Sequence, residues 1–149
     1  MEEWDFTRSR AKEMDNFRYT IRVRYAQVDR MGVVYHSRYL EWFEAARTEM
    51  IRSMGLSYKS LEEREILLPV IEAFCRYRRP VLYDELIQVH TSIEAVSRSR
   101  IRLRYEIRAE GEKNPRATGY TVHCFMAPSG KPLRAGPEIL RFFQNKMDT

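Results

Sequence analysis

Asp29 and His36 set one carboxylate and one imidazole just ahead of a segment that reads as a long helix. A carboxylate in such a place has two chemical uses. It attacks an electrophilic carbonyl itself, or it activates a water molecule as a general base. The helix start supplies the complementary half, because its first N–H groups lack intrahelical partners and the dipole is positive there, favouring an anion or oxyanion. Between the two residues run the tight-turn pair Met31-Gly32 and the short apolar run Val33-Val34-Tyr35. The plain alternative for Asp29 is turn chemistry, an aspartate capping its own loop. His36 has two side-chain readings, a proton shuttle or a ring packed over a pocket entrance, and we favour the second.

Other reactive residue types read more simply. Tyr35 suits a core or pocket wall. Ser37 suits a helix cap, since no G-x-S-x-G elbow surrounds it. Glu44 is a spare carboxylate that can pair with Arg47 at i,i+3. His36, His90, His123, Cys75 and Cys124 are scattered without ligand spacing, apart from the adjacent His123-Cys124 pair, so no metal site and no cofactor are expected. The two cysteines read as buried free thiols, with a single disulfide as the lesser alternative, and His90 as a solvated strand residue.

The elements that must position these residues follow from periodicity. Residues 18–28 alternate with period two, as a strand with one apolar face does. The helix should run from near Ser37 to just before Gly55, a good residue beyond a C-cap. Tyr39, Phe43, Ala46, Met50 and Met54 fall on one arc, flanked by Leu40, Ile51 and Trp42, so most of its circumference should be buried. A short helical piece follows, with Ser57 or Ser60 available as caps. Strands are predicted over 66–78, 84–96, 100–110 and 116–126, and a short helix over 137–146. Consecutive strands with short connections pair antiparallel. The class is therefore α+β, with residues 1–17 as an N-terminal extension docked through Trp4 and Phe6, and residues 18–149 as a single domain.

The chain has 149 residues and a formal charge of +5, and its 26 basic residues divide into 21 arginines and 5 lysines. Arginine forks suit phosphates and carboxylates, so an anionic or phosphorylated ligand is in view. Arg98, Arg100, Arg102 and Arg104 line up on one strand face, read as a solvated outer face paired with Glu94 and Glu106. That face is expected to lack the interleaved aromatics of a nucleic-acid-binding sheet, so no nucleic-acid partner is expected. No secretory segment or membrane-spanning run stands out, which points to a cytoplasmic protein without membrane insertion.

The run Tyr25-Ala-Gln-Val-Asp29-Arg-Met-Gly32-Val-Val-Tyr35-His36-Ser-Arg-Tyr39 resembles the signature of hotdog-fold acyl-CoA thioesterases of the 4-hydroxybenzoyl-CoA thioesterase type. The continuation Trp42-Phe43-Glu44-Ala-Ala-Arg47-Thr48-Glu49 is similar to the helix of the bacterial branch associated with the Tol-Pal cluster. By element order the resemblance covers residues 18–141. It implies a curved antiparallel sheet wrapped around one long central helix, and a homodimer or homotetramer with active sites at the dimer interface. It implies an enzyme hydrolysing an acyl-CoA, or an acyl carrier protein thioester, with Asp29 as nucleophile or general base. The His36 N–H would polarise the thioester carbonyl, with Tyr35 and Gly32 against the substrate and Arg98 near the CoA phosphates. A non-catalytic module binding an acyl thioester or a partner protein is the competing expectation. Two pairs depart from the pattern: Gln27-Val28 stands where Glu-Thr is usual, and Ser37-Arg38 where a small residue and Asn are usual.

Overall fold

The computed structural model describes residues 17–55, 61 and 63–148. The expected N-terminal extension lies outside the described residues except for Phe17, as do the proposed caps Ser57 and Ser60. The chain forms β1 (Phe17–Arg22), α1 (Arg38–Ser53), β2 (Val70–Tyr77), β3 (Leu86–Val96), β4 (Arg100–Ala109), β5 (Ala117–Cys124) and α2 (Pro137–Asp148). Every strand pairing is antiparallel, in the order β1-β3-β4-β5-β2. The first strand stops earlier than its alternation suggests, because a 3-10 turn at Tyr25–Gln27 breaks it.

Alternation explains the layers. On β4, Ile101, Leu103, Tyr105 and Ile107 are buried on one face, while Arg104 between them is exposed and Arg102, Glu106 and Arg108 are half-buried. Helix α1 lays Tyr39, Trp42, Phe43, Ala46, Arg47, Met50 and Ile51 onto the apolar face, the spacing of a broad helical stripe. Gly55, with φ +88°, ends it beyond the C-cap as expected. The Phe43 side chain of α1 reaches down to Gly119 on β5. A Cβ there would sit 2.3 Å from the Phe74 carbonyl oxygen and 2.7 Å from the Phe43 ring. Phe43 in turn stacks flat on Tyr105, centroids 4.3 Å apart.

The expected sheet curling around one helix is corrected. β1 and β2 are the two outer strands and do not pair with each other, so the sheet stays open. Two helices share its apolar face: α1 packs on β1, β2 and β3, and α2 on β3, with Ile139 and Phe143 in the same core as α1. With the second helix covering apolar surface, burial does not require the strands to close. β2 is the outlier. Of its eight residues only Cys75 is even half-buried, and Val70, Ile71, Phe74 and Tyr77 expose 41–48% of their surface.

Candidate active site

The loop before α1 is built by short hydrogen bonds that the sequence places within a few residues of one another. The Gly32 N–H donates to the Asp29 carbonyl (3.0 Å), closing a turn that Gly32 completes at φ +76°. Asp29 Oδ1 accepts from the Met31 N–H (2.8 Å) and the Val33 N–H (3.2 Å). The turn reading of Asp29 is therefore realised, and both bonds fall on Oδ1 of an exposed side chain, leaving Oδ2 outside them. A capped aspartate is also an oriented one.

The rest of the loop is stitched to residues 81–83. The Val34 N–H donates to the Val81 carbonyl (2.8 Å), the Tyr83 N–H to the Gly32 carbonyl (3.1 Å), and Val33 bridges Leu82. Tyr25, at the head of the loop, meets Tyr83 edge-on. The Arg38 N–H donates to the Tyr35 carbonyl (3.0 Å), so residues 35–38 make the turn that opens α1. Ser37 occupies the N-cap position, but its hydroxyl makes no cap bond. Among the described residues no hydrogen bond is made by the His36 or Ser37 N–H. Two donors thus stand open at the positive end of a sixteen-residue helix.

A cleft of about 280 Å³ lies beside this turn, walled by Val33, Val34, His36, Tyr39, Tyr77 and the segment Arg78–Pro80. Tyr77 enters from β2, its hydroxyl donating to the His36 carbonyl (2.8 Å). The His36 imidazole is exposed and lies against the Tyr35 ring (4.3 Å) and edge-on to Tyr77 (6.5 Å). That is the ring packed at an entrance. Behind the wall, Arg116 donates to the Pro80 carbonyl (2.6 Å) and pairs with Glu85 and Glu112, while Arg79 also pairs with Glu112.

The structure brings Asp29, Gly32, Tyr35 and His36 into one loop and sets Arg98 elsewhere. Arg98 sits exposed in the β3–β4 turn, its carbonyl accepting from the Ala135 N–H. The cleft lies at the opposite end of the sheet, where Tyr77 pairs with Ala117 at the start of β5. Ten residues of β4 separate the two ends, roughly 30 Å at strand rise. Tyr77 and the Arg78–Pro80 wall escaped the sequence reading. No local spacing links them to His36, 41 residues away; the polar Arg-Tyr-Arg-Arg-Pro end of a strand was the available hint.

Several other expectations are corrected. Arg47 turns inward, buried, and donates to the Tyr105 hydroxyl (3.2 Å), while Glu44 stays exposed on the helix surface. The Tyr105 hydroxyl shares a bond with Thr121 Oγ1 (2.6 Å), which meets His123 Nε2 (2.9 Å), and His123 Nδ1 meets the Leu68 carbonyl (3.0 Å). Burial, with Arg47 adding, pushes the His123 pKa down to about 4. His90 is buried beneath Arg18, Glu106 and Arg108 rather than solvated, and its pKa is lowered, first by burial. Cys75 and Cys124 are free and only half-buried.

The outer face does carry aromatics. Phe74 from β2 stacks on Tyr120 (5.3 Å), and Arg102 from β4 lies over that ring (3.9 Å), its Nε on Glu94. Tyr120 is thus engaged by Phe74 and Arg102 within the protein itself. Among the described residues no cluster of three or more His, Cys, Asp or Glu can hold a metal, and no helix is long and apolar enough to cross a membrane.

One long helix laid on an open antiparallel sheet, with its N-terminus behind a capped aspartate, keeps the helix-on-sheet part of the arrangement that the resemblance implied, without the expected wrap. The chain belongs to the thioesterase-like superfamily, whose model matches residues 23–143. YneP of Bacillus subtilis is 37% identical over 115 residues, covering 76% of this chain and 83% of its own. The acyl-CoA thioesterase YbgC of Haemophilus influenzae is 31% identical over 134 residues, covering 89% and 98%. Among solved structures, the DHNA-CoA thioesterase of Staphylococcus aureus superposes with a TM-score of 0.80 at 33% identity, over 87% of this chain and 89% of that one.

Proposed function

We propose that this protein is an acyl-CoA thioester hydrolase in which Asp29 supplies the base or nucleophile and the start of α1 supplies the oxyanion site. Family membership and the acyl-CoA hydrolases among its relatives support the reaction class. The observation that carries the residue assignment is the juxtaposition, within one loop, of an oriented carboxylate and unpaired helix-start N–H groups. The thioester carbonyl oxygen accepts from the His36 N–H, and charge building on it meets the positive helix end. Asp29 Oδ2 then either attacks the carbonyl carbon to give a mixed anhydride, which water cleaves, or takes a proton from the attacking water. In both courses the carbon–sulfur bond breaks, the thiolate is protonated, and a free acid leaves. Gly32 and Tyr35, in the same loop, are assigned to substrate binding, and the His36 ring stands at the entrance.

The working unit is a homodimer paired through β2. Among the described residues that strand has no partner on its outer edge, and it presents four half-exposed apolar side chains, a surface that folded proteins cover. Antiparallel pairing of two β2 strands brings the Arg98 end of one sheet beside the Asp29 end of the other. Arg98 then lies within reach of CoA phosphates bound at its partner's site. Light scattering coupled to size exclusion reads the mass directly, and a monomer at working concentration removes this part of the proposal.

The deciding test is free-thiol release from short-chain, long-chain and aromatic acyl-CoAs by wild type and Asp29→Asn. Turnover that falls by orders of magnitude in the variant supports the assignment. Turnover that survives moves the carboxylate elsewhere, with Glu44 next. Acyl-CoA binding without turnover by wild type favours a non-catalytic binding module.

A further inference from the structure

Tyr77 ties an edge strand to the loop that carries the chemistry. Its hydroxyl lies 2.8 Å from the His36 carbonyl oxygen, and its ring is braced edge-on by Tyr39, centroids 4.8 Å apart at 84°, and by His36. Resting on the thioesterase reading above, we propose that Tyr77 is a positioning residue whose hydroxyl, held on the His36 carbonyl, aims the open N–H groups at the start of α1.

The argument is one of peptide geometry. The His36 carbonyl belongs to the same amide as the Ser37 N–H, so a donor on the oxygen polarises that amide and strengthens its N–H as a donor in turn. Fixing the plane of the 36–37 amide also fixes the backbone rotation at His36, and with it the direction of the His36 N–H. An oxyanion donor is useful only when it already points where charge will develop. The turn otherwise rests on its own Arg38-to-Tyr35 bond and on the Tyr35 N–H donating to the Gln27 carbonyl. Neither of these holds the 36–37 amide. The hydroxyl also stays a donor at any working pH, since an ordinary tyrosine ionises only near about 10 and partial desolvation of this hydroxyl, with Cys75 and Tyr39 adding, pushes its pKa up to about 12. A tyrosine serving only as pocket wall would need the ring and not the oxygen.

Tyr77→Phe separates the two roles, because it keeps the ring on Tyr39 and removes one oxygen. With an acyl-CoA that wild type hydrolyses, kcat should fall about 10-fold, the scale set by a misaimed rather than missing donor. KM should stay within about twofold and the melting temperature within a few degrees, as expected for an interaction used in the transition state alone. The amide proton resonances of His36 and Ser37 should move while those of the β3–β4 turn do not. Incorporating 3-fluorotyrosine at position 77 restores the hydrogen bond and should restore kcat. An unchanged kcat in Tyr77→Phe overturns the proposal, as does a loss of activity that merely tracks a lower melting temperature. Wild type that releases no thiol from any acyl-CoA overturns the hydrolase reading and takes this proposal with it. Wild-type turnover beside an unaffected variant overturns this proposal alone.

Discussion

Two polar assemblies flank α1, and they differ in what they leave unsatisfied. Arg47, Tyr105, Thr121 and His123 form a buried chain in which each side chain meets a partner, ending on the Leu68 carbonyl. The loop from Asp29 to Ser37 is mostly exposed and, among the described residues, leaves the His36 and Ser37 N–H groups at its helix end without partners. By residue type the buried set looks the more catalytic, with its arginine, tyrosine and histidine together. The difference teaches that residue type alone misleads. A closed network in low dielectric is rigid and specifies a core, whereas open donors beside an oriented carboxylate are free to bind a substrate's developing charge.

Asp29→Asn breaks the comparison with the largest effect. Asparagine keeps an oxygen for the Met31 and Val33 N–H groups, so the loop is expected to persist. The negative oxygen is gone, and kcat should fall roughly 10²- to 10⁴-fold, the range for loss of a positioned acid–base group. Thiol release and a melting curve on the same sample read both quantities. An equal loss in His123→Gln would erase the distinction between the two assemblies, since that residue is assigned no part in turnover.

The buried chain should instead announce itself through pH. His123 is 1% exposed and its pKa is about 4 in the folded protein, against about 6.5 for an unperturbed histidine. Between these values the unfolded chain binds the proton and the folded chain does not, so stability is full above pH 6.5 and declines as pH falls towards 4. The span corresponds to about 3 kcal/mol. Urea unfolding at several pH values should show the decline in wild type and a flatter course in His123→Gln. His90, lowered in the same direction, leaves part of the slope in place.

Gly119→Ala sharpens the comparison from the packing side. Its new methyl group meets backbone at Phe74 and the wedged Phe43 ring, and overpacking of this kind costs about 1–3 kcal/mol. Thermal unfolding should shift down by several degrees while kcat per folded molecule holds. That close approach was not legible in the sequence, where Gly119 sits in an ordinary strand. Much else was. The order and approximate bounds of the strands and of α1 followed from period-two and helical spacing, which depend on which face meets the core. Asp29, Gly32, Tyr35 and His36 were legible as a group because one loop carries them. The openness of the sheet was not, because alternation records which side is buried and not whether the edges meet. Arg47 was misassigned for a related reason: helical spacing places it beside Glu44, but only packing decides that its guanidinium turns in toward Tyr105.

Arg98 offers the smallest effect and the finest distinction. Within one protomer it lies at the far end of the sheet from Asp29 and has nothing to contribute there. In the proposed dimer joined through β2 its guanidinium would reach across to the partner's site and meet the phosphates of the carrier, not the thioester. Arg98→Ala should therefore raise KM for an acyl-CoA about 3- to 10-fold, the worth of one partly solvated charge–phosphate contact, and leave kcat unaltered. The increase should shrink as salt rises. A pantetheine thioester of the same acyl group, which lacks the nucleotide phosphates, should be hydrolysed equally well by variant and wild type. An equal KM increase for both substrates would place Arg98 in the folding of the β3–β4 turn, and no increase for either would confine the site to the Asp29 end of a single sheet.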